Sequence, residues 1–270
     1  MFRMLKLQPP HGWRAVLWEL GIVTLGVLIA LAAQQWVESL SWRSKTRVAI
    51  AAVRGEVGDH YASAVEWRMV HPCLHAQIEA LQQRLIDSGD TLNPAPIYRE
   101  AAFTSYVLRL PSREMSESAW QAAIADGVTA HLSPTLRKEL SDHYVQTASI
   151  ALMTDRNDQD VQRVFTMSRP VKLDASGRLE LMQELDELRG RIDYMDLNSG
   201  QVLDHLDKVR MVPHATVVQA FLERSGTRQL CNRQGLPLRS FNEATTPIDY
   251  FYSPQQLPGV GSQHPNGERR

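Results

Sequence analysis

Hydrophobic positions fall into two regimes along this chain. From residue 13 to residue 37 they are almost continuous: the stretch AVLWELGIVTLGVLIALAA (15–33) is interrupted only by Glu19 and Thr24. At about 1.5 Å of rise per residue, a helix over 13–37 reaches somewhat beyond a hydrocarbon core of ~30 Å. Trp13 and Trp18 flank one end, and Trp36 and Trp42 the other. Indole rings prefer the membrane–water interface, where the ring is buried and its N–H stays wet, so all four read as interfacial anchors.

Beyond residue 44 the apolar positions recur every three or four residues, the period of an amphipathic helix. Ile50, Val53, Val57, Tyr61 and Ala64 form one such face. Pro72 is expected to end that helix and open the next, which carries Leu74, Ile78, Leu81 and Leu85. Residues 97–110 are ambiguous between a short helix and irregular structure. Ser118 and Gln121 have capping-box spacing, with Ser116 an equal candidate cap, and Gly127 supplies a stop. Ser133-Pro134 opens a long helix to about residue 167. Asp174 caps another that reaches about residue 211; Gly200 is expected to interrupt it, and Val202, Leu206 and Val209 resume the pattern. A shorter helix follows Pro213 and closes at Gly226. No alternating run is long enough to call for a strand.

The expected fold is therefore all-α: one N-terminal transmembrane helix followed by an antiparallel helical bundle. Its parts are a short tail (1–12), the transmembrane helix (13–37), a helical soluble domain (38–235) and an irregular, flexible C-terminal tail (236–270). Segments 134–167 and 175–211, joined by a short Pro-containing turn, form an αα-hairpin.

A cleaved signal peptide is the rival reading of the N-terminus. Arg3, Lys6 and Arg14 make a basic region, and Ala30-Leu31-Ala32 has the small-x-small cleavage pattern. Against it stand Glu19 and the tryptophans beyond the cut. Arginines and lysines on the two flanks nearly balance, so the positive-inside rule leaves orientation open. A bacterial inner-membrane anchor with the domain exported to the periplasm is the simpler insertion. Glu19, Gly26 and Ala30 share one helix face, where small residues permit close approach and a carboxyl can hydrogen-bond across helices.

Net charge is −1, with 29 basic and 30 acidic residues. That balance speaks against a nucleic-acid partner. Cys73 and Cys231 match no zinc or redox spacing; they are either inert core thiols or one long-range disulfide, which would need an oxidising compartment. His71, Cys73 and His75 are close in sequence, yet the expected helix start at Pro72 separates the histidines, and no carboxylate completes a metal set. Asp155–Asp160 lacks the Gly and Glu of a calcium loop. Asp59-His60, Asp142-His143 and Asp204-His205 are adjacent pairs, not partners on one helical face. No nucleophile elbow, phosphate loop or dinucleotide fingerprint is present. No catalytic, cofactor-binding or metal residue is assigned.

The anchor GIVTLGVLIALAAQQWVE (21–38), with SAWQAAIADG (118–127) and LRKELSDHY (136–144), resembles a family of uncharacterised bacterial single-pass membrane proteins. In that family the anchor ends in a polar-Trp-polar-Glu signature; here Val37 stands at the second polar position. The resemblance implies architecture and no activity. The expected partners are the lipid bilayer and either a second copy of the chain or another envelope protein. The expected role is non-enzymatic binding or self-association, with ligand sensing, or an enzyme lacking short motifs, as alternatives.

Overall fold

The computed structural model describes residues 12–100 and 104–247. Helix α1 (Gly12–Asp87) is followed by a small antiparallel hairpin, β1 (Tyr98–Glu100) and β2 (Thr104–Tyr106). Five more helices complete the main frame: α2 (Ser118–Ala125), α3 (Pro134–Val164), α4 (Ala175–Lys208), α5 (Ala215–Glu223) and α6 (Gly226–Gln234). A short α7 (Phe241–Thr245) comes last. The protein is all-α, with a single two-stranded sheet among the described residues.

Contacts divide the chain into two units. The first comprises the described part of residues 1–52 together with 119–132. Its apolar helical segment is long enough to cross a membrane, and none of its most hydrophobic window is buried within the chain. Trp13, Trp18 and Trp36, expected from the sequence to be interfacial anchors, are exposed. Trp42 departs from that expectation: its ring stacks on His131 at 4.0 Å and carries the Lys45 ammonium 4.7 Å from its centroid. Gly127, at φ +72°, ends α2 in the left-handed conformation that glycine adopts without steric cost. The Ala119, Ala122 and Ala123 side of α2 and residues 44–52 of α1 then line an apolar groove of about 510 Å³.

The second unit, residues 53–118 and the described part of 133–270, is built around the second half of α1. Val53, Val57, Val65, Leu74, Ile78 and Leu85 are fully buried there. The long helices α3 and α4 form the expected antiparallel hairpin. Ser133 caps α3 by accepting from Leu136 N–H, Pro134 takes the first turn, and Asp174 caps α4 by accepting from Gly177 N–H. Gly200 lies buried within α4 without interrupting it. The segment Asp155–Asp160 continues α3 rather than breaking it; Asp160 pairs with Arg191 of α4.

Several expectations are corrected. Pro72 does not end a helix, because α1 runs straight through it. A proline at that place removes the N–H that would bond the carbonyl four residues back, that of Arg68. Here Arg239 replaces the donor: its guanidinium donates to Arg68 O at 3.2 Å, and its backbone N–H donates to Met69 O at 3.0 Å. The break in the helix ladder is thereby mended from a distant part of the chain.

Among residues 236–247, read from the sequence as part of an irregular tail, the chain is partly ordered as helix. Residues 241–245 form α7, closed by a full Ser240–Glu243 capping box, and Arg68 donates to Thr246 O. Residues 248–270 lie outside the described residues, as do 1–11. Gly226 opens α6 instead of closing α5, since Ser225 caps the new helix by accepting from Arg228 N–H. Residues 98–106, ambiguous from their pattern, pair as strands of three residues each, too short for an alternation to register. The second unit is also not one continuous stretch, since residues 119–132 belong to the first.

Candidate functional site: the polar core of α1

Residues 60–70 of α1 are buried on every face of the helix. His60, Glu66 and Arg68 therefore sit in the interior, where each must find a partner. Each finds one on a different element.

His60 meets α3. Its Nδ1 lies 3.0 Å from Nε2 of His143, and both rings are almost wholly excluded from solvent. One imidazole donates and the other accepts, so at least the accepting ring is neutral. Burial lowers both pKa values, that of His143 to about 3, with His60 and His205 adding repulsion. Tyr144 stands edge-on to both rings and donates to Glu56 Oε1 at 2.6 Å. Burial and that bond raise the phenol's pKa. Glu56 Oε2 also accepts from Ser116 and Ser118 hydroxyls at 3.1 and 3.2 Å. On α4, His205 Nδ1 lies 3.0 Å from Glu139 of α3. Thus the histidines of three Asp-His dipeptides converge, while their neighbours Asp142 and Asp204 pair with Lys138 and Lys208 instead. Sequence spacing could not show this, because the partners are on different helices.

Glu66 meets α6 and the segment after β2. Ser225 Oγ donates to its Oε1 at 2.5 Å, and Arg113 Nε lies 3.5 Å from Oε2. Burial raises the pKa of this carboxyl, and Ser225 and Arg113 partly offset it. Arg68 lies 3.8 Å from Asp196 of α4, and Asp196 is also bonded to Arg239.

One turn further on, α1 presents His71 and His75 to α4. Both Nε2 atoms point at the same oxygen, Asp193 Oδ1, at 2.8 and 2.7 Å. Their rings are 4.4 Å apart. The separation and the missing carboxylate expected from sequence are both corrected here: helix α1 continues through Pro72, and α4 brings in Asp193. Burial lowers the His71 pKa, and Asp196 and Asp193 oppose the shift.

Cys73 and Cys231 are brought together and joined in a disulfide between α1 and α6, with Cα atoms 6.0 Å apart. Both are fully buried. Glu19, Gly26 and Ala30 are exposed on the apolar segment, and a Cβ built on Gly26 would meet nothing within 4 Å.

These features define an all-α protein with, among the described residues, one helix able to span a membrane by length and composition. Comparison with protein-family models, with curated proteins and with solved structures finds no match. No activity and no site residue is therefore carried over to this chain from another protein.

Proposed function

We propose that this chain is a non-enzymatic, single-pass protein of the bacterial inner membrane. Its helical unit faces the periplasm, and it acts by self-association through its membrane helix. The observation that carries this reading is the apolar segment of α1, exposed along its whole hydrophobic window, with Gly26 unused for packing inside the chain. A glycine in a helix costs about 1 kcal/mol relative to Ala, so its smallness calls for a close neighbour. Gly26 and Ala30 offer that approach, and Glu19 offers a hydrogen bond worth about 0.6–2 kcal/mol across helices. The Cys73–Cys231 disulfide supports export, because such bonds persist in oxidising compartments. The interior placement of His60 and His143 favours a structural role over acid–base chemistry, since substrate cannot reach them.

The test has three parts. The protein stays in the membrane fraction after a carbonate wash; a soluble product beginning near Ala33 would instead establish signal cleavage. A C-terminal reporter active only in the periplasm is active. In a two-hybrid assay of membrane-helix association, Gly26→Ile weakens the signal more than Val27→Ile; equal effects would reduce the face to a lipid-exposed stripe.

A second reading, ligand sensing, is favoured by a groove of about 650 Å³ in the second unit. There Arg113 stacks on Phe221 at 4.4 Å, beside Asp59 and Glu114.

A further inference from the structure

We propose that His71, His75 and Asp193 form a binding site for a divalent transition-metal ion of zinc type. Two imidazoles one helical turn apart on α1 and one carboxylate on α4 converge with their ligand atoms all within 4.8 Å of one another. This is a three-ligand set of nitrogen and oxygen donors, the composition of open zinc sites that keep a fourth position for water. Imidazole and carboxylate together suit zinc and its neighbours better than magnesium or calcium, which take oxygen donors.

The geometry needs little adjustment. Zinc–nitrogen and zinc–oxygen bonds near 2.1 Å in a tetrahedron put neighbouring ligand atoms about 3.4 Å apart. The Nε2–Oδ1 distances are 2.8 and 2.7 Å, so the carboxylate must withdraw by roughly 0.6–0.7 Å. Asp193 is 53% exposed and free to do so, while the histidines, at 16% and 19%, are held by packing. The exposed side of Asp193 gives the ion its path in and the fourth position its water.

The surroundings fit a ligand shell with one rearrangement. Arg239 lies 3.4 Å from Nδ1 of His71 and can only donate, so that nitrogen now accepts. Ligation through Nε2 places the ring proton on Nδ1 and turns that weak contact into a clash of donors. The guanidinium retains Asp196, Arg68 O and its place beside the helix, and the Asp196 carboxylate next to His71 supplies the negative charge that an Nδ1–H needs.

The other convergent set, Glu139, Asp142 and His205, is the weaker candidate. It has one imidazole, and Lys138 already holds Asp142 at 2.6 Å.

The experiment uses the full chain, untagged, in detergent and stripped of metal. Zinc is titrated against a chromophoric chelator, and cobalt(II) is added separately to record its visible spectrum. Wild type is expected to bind one zinc per chain and to give the intense bands of four-coordinate cobalt. His75→Asn and Asp193→Asn should each weaken zinc by at least about 100-fold, beyond the roughly 10- to 100-fold typical of changing a group that only hydrogen-bonds to a ligand. His205→Asn should leave affinity unchanged. Asp193→Asn is nearly isosteric and lies on a half-exposed position, so it reports even if a histidine variant misfolds. Stoichiometric binding that survives Asp193→Asn, or no binding tighter than that of the His205→Asn, Asp193→Asn double variant, overturns the site.

Discussion

Replacing Arg239 by Ala tests the claim that this residue mends the ladder of α1 at Pro72. Two losses follow from the truncation. Arg68 O, deprived of an N–H by the proline, loses the guanidinium 3.2 Å away. An orphaned, largely buried carbonyl costs about 1–3 kcal/mol. Asp196, only 13% exposed, loses its closer cationic partner but keeps Arg68 at 3.8 Å. That second loss is therefore smaller than the roughly 3–5 kcal/mol of a fully broken buried pair. A total of about 2–4 kcal/mol is expected. Pro72→Ala separates the two losses. It gives residue 72 an N–H of its own, so the Arg68 carbonyl no longer depends on Arg239, while Asp196 is unaffected. In that background Arg239→Ala should cost about 1 kcal/mol less. The assay is urea unfolding of the full chain in a mild detergent, followed by tryptophan fluorescence, for all four members of the cycle. With a slope of about 1–3 kcal/mol per molar, the coupling is a midpoint difference of roughly 0.3–1 M. Equal costs in the two backgrounds, within about 0.5 kcal/mol, would refute the argument.

Three further outcomes follow from the polar core and its clamp. Cys73 and Cys231 are 158 residues apart, for which chain entropy allows about 5 kcal/mol and practice about 2–4; the Cys73→Ala, Cys231→Ala protein should show that loss in urea, and two labelled thiols in denatured, unreduced wild type would remove the bond itself. For His60 and His143 the folded pKa values are lowered, so below about pH 6.5 the unfolded chain binds the extra protons. Stability is then fully present above that pH and falls as pH drops towards 3, by up to about 1.4 kcal/mol per pH unit for each histidine. The His60→Leu, His143→Leu protein should unfold with a visibly flatter dependence between pH 6.5 and 5, and an unchanged slope would contradict the neutral pair. Ser225→Ala removes both the α6 cap and the donor to buried Glu66; a loss of about 2–3 kcal/mol is expected in the same assay, and one below about 0.5 kcal/mol would mean that Glu66 is held by its arginines alone.

Local signals by themselves determined much of this architecture. The apolar run with its tryptophans identified the membrane-competent segment, since hydropathy and length act without reference to the rest of the chain. Ser133-Pro134 and Asp174 located the long hairpin, because a cap satisfies orphan N–H groups within its own first turn. The interior chemistry was decided elsewhere. Pro72 reads as a stop because local rules count only local donors, and its replacement donor comes from Arg239, far along the chain. Gly226 reads as a stop because glycine commonly follows a helix C-terminus, whereas here it opens α6 behind the Ser225 cap. His60 and His143, His71, His75 and Asp193, and Glu66 and Ser225 each join helices separated by long stretches of sequence. Their periodicity was hidden because residues 60–70 of α1 are buried on all sides, so polar and apolar positions there no longer mark an outside and an inside. Only the packing of α3, α4 and α6 around that turn settles which polar group faces which. For His60, His143, Glu66 and Ser225, the need to satisfy each polar group in a dry interior is the physical reason they meet.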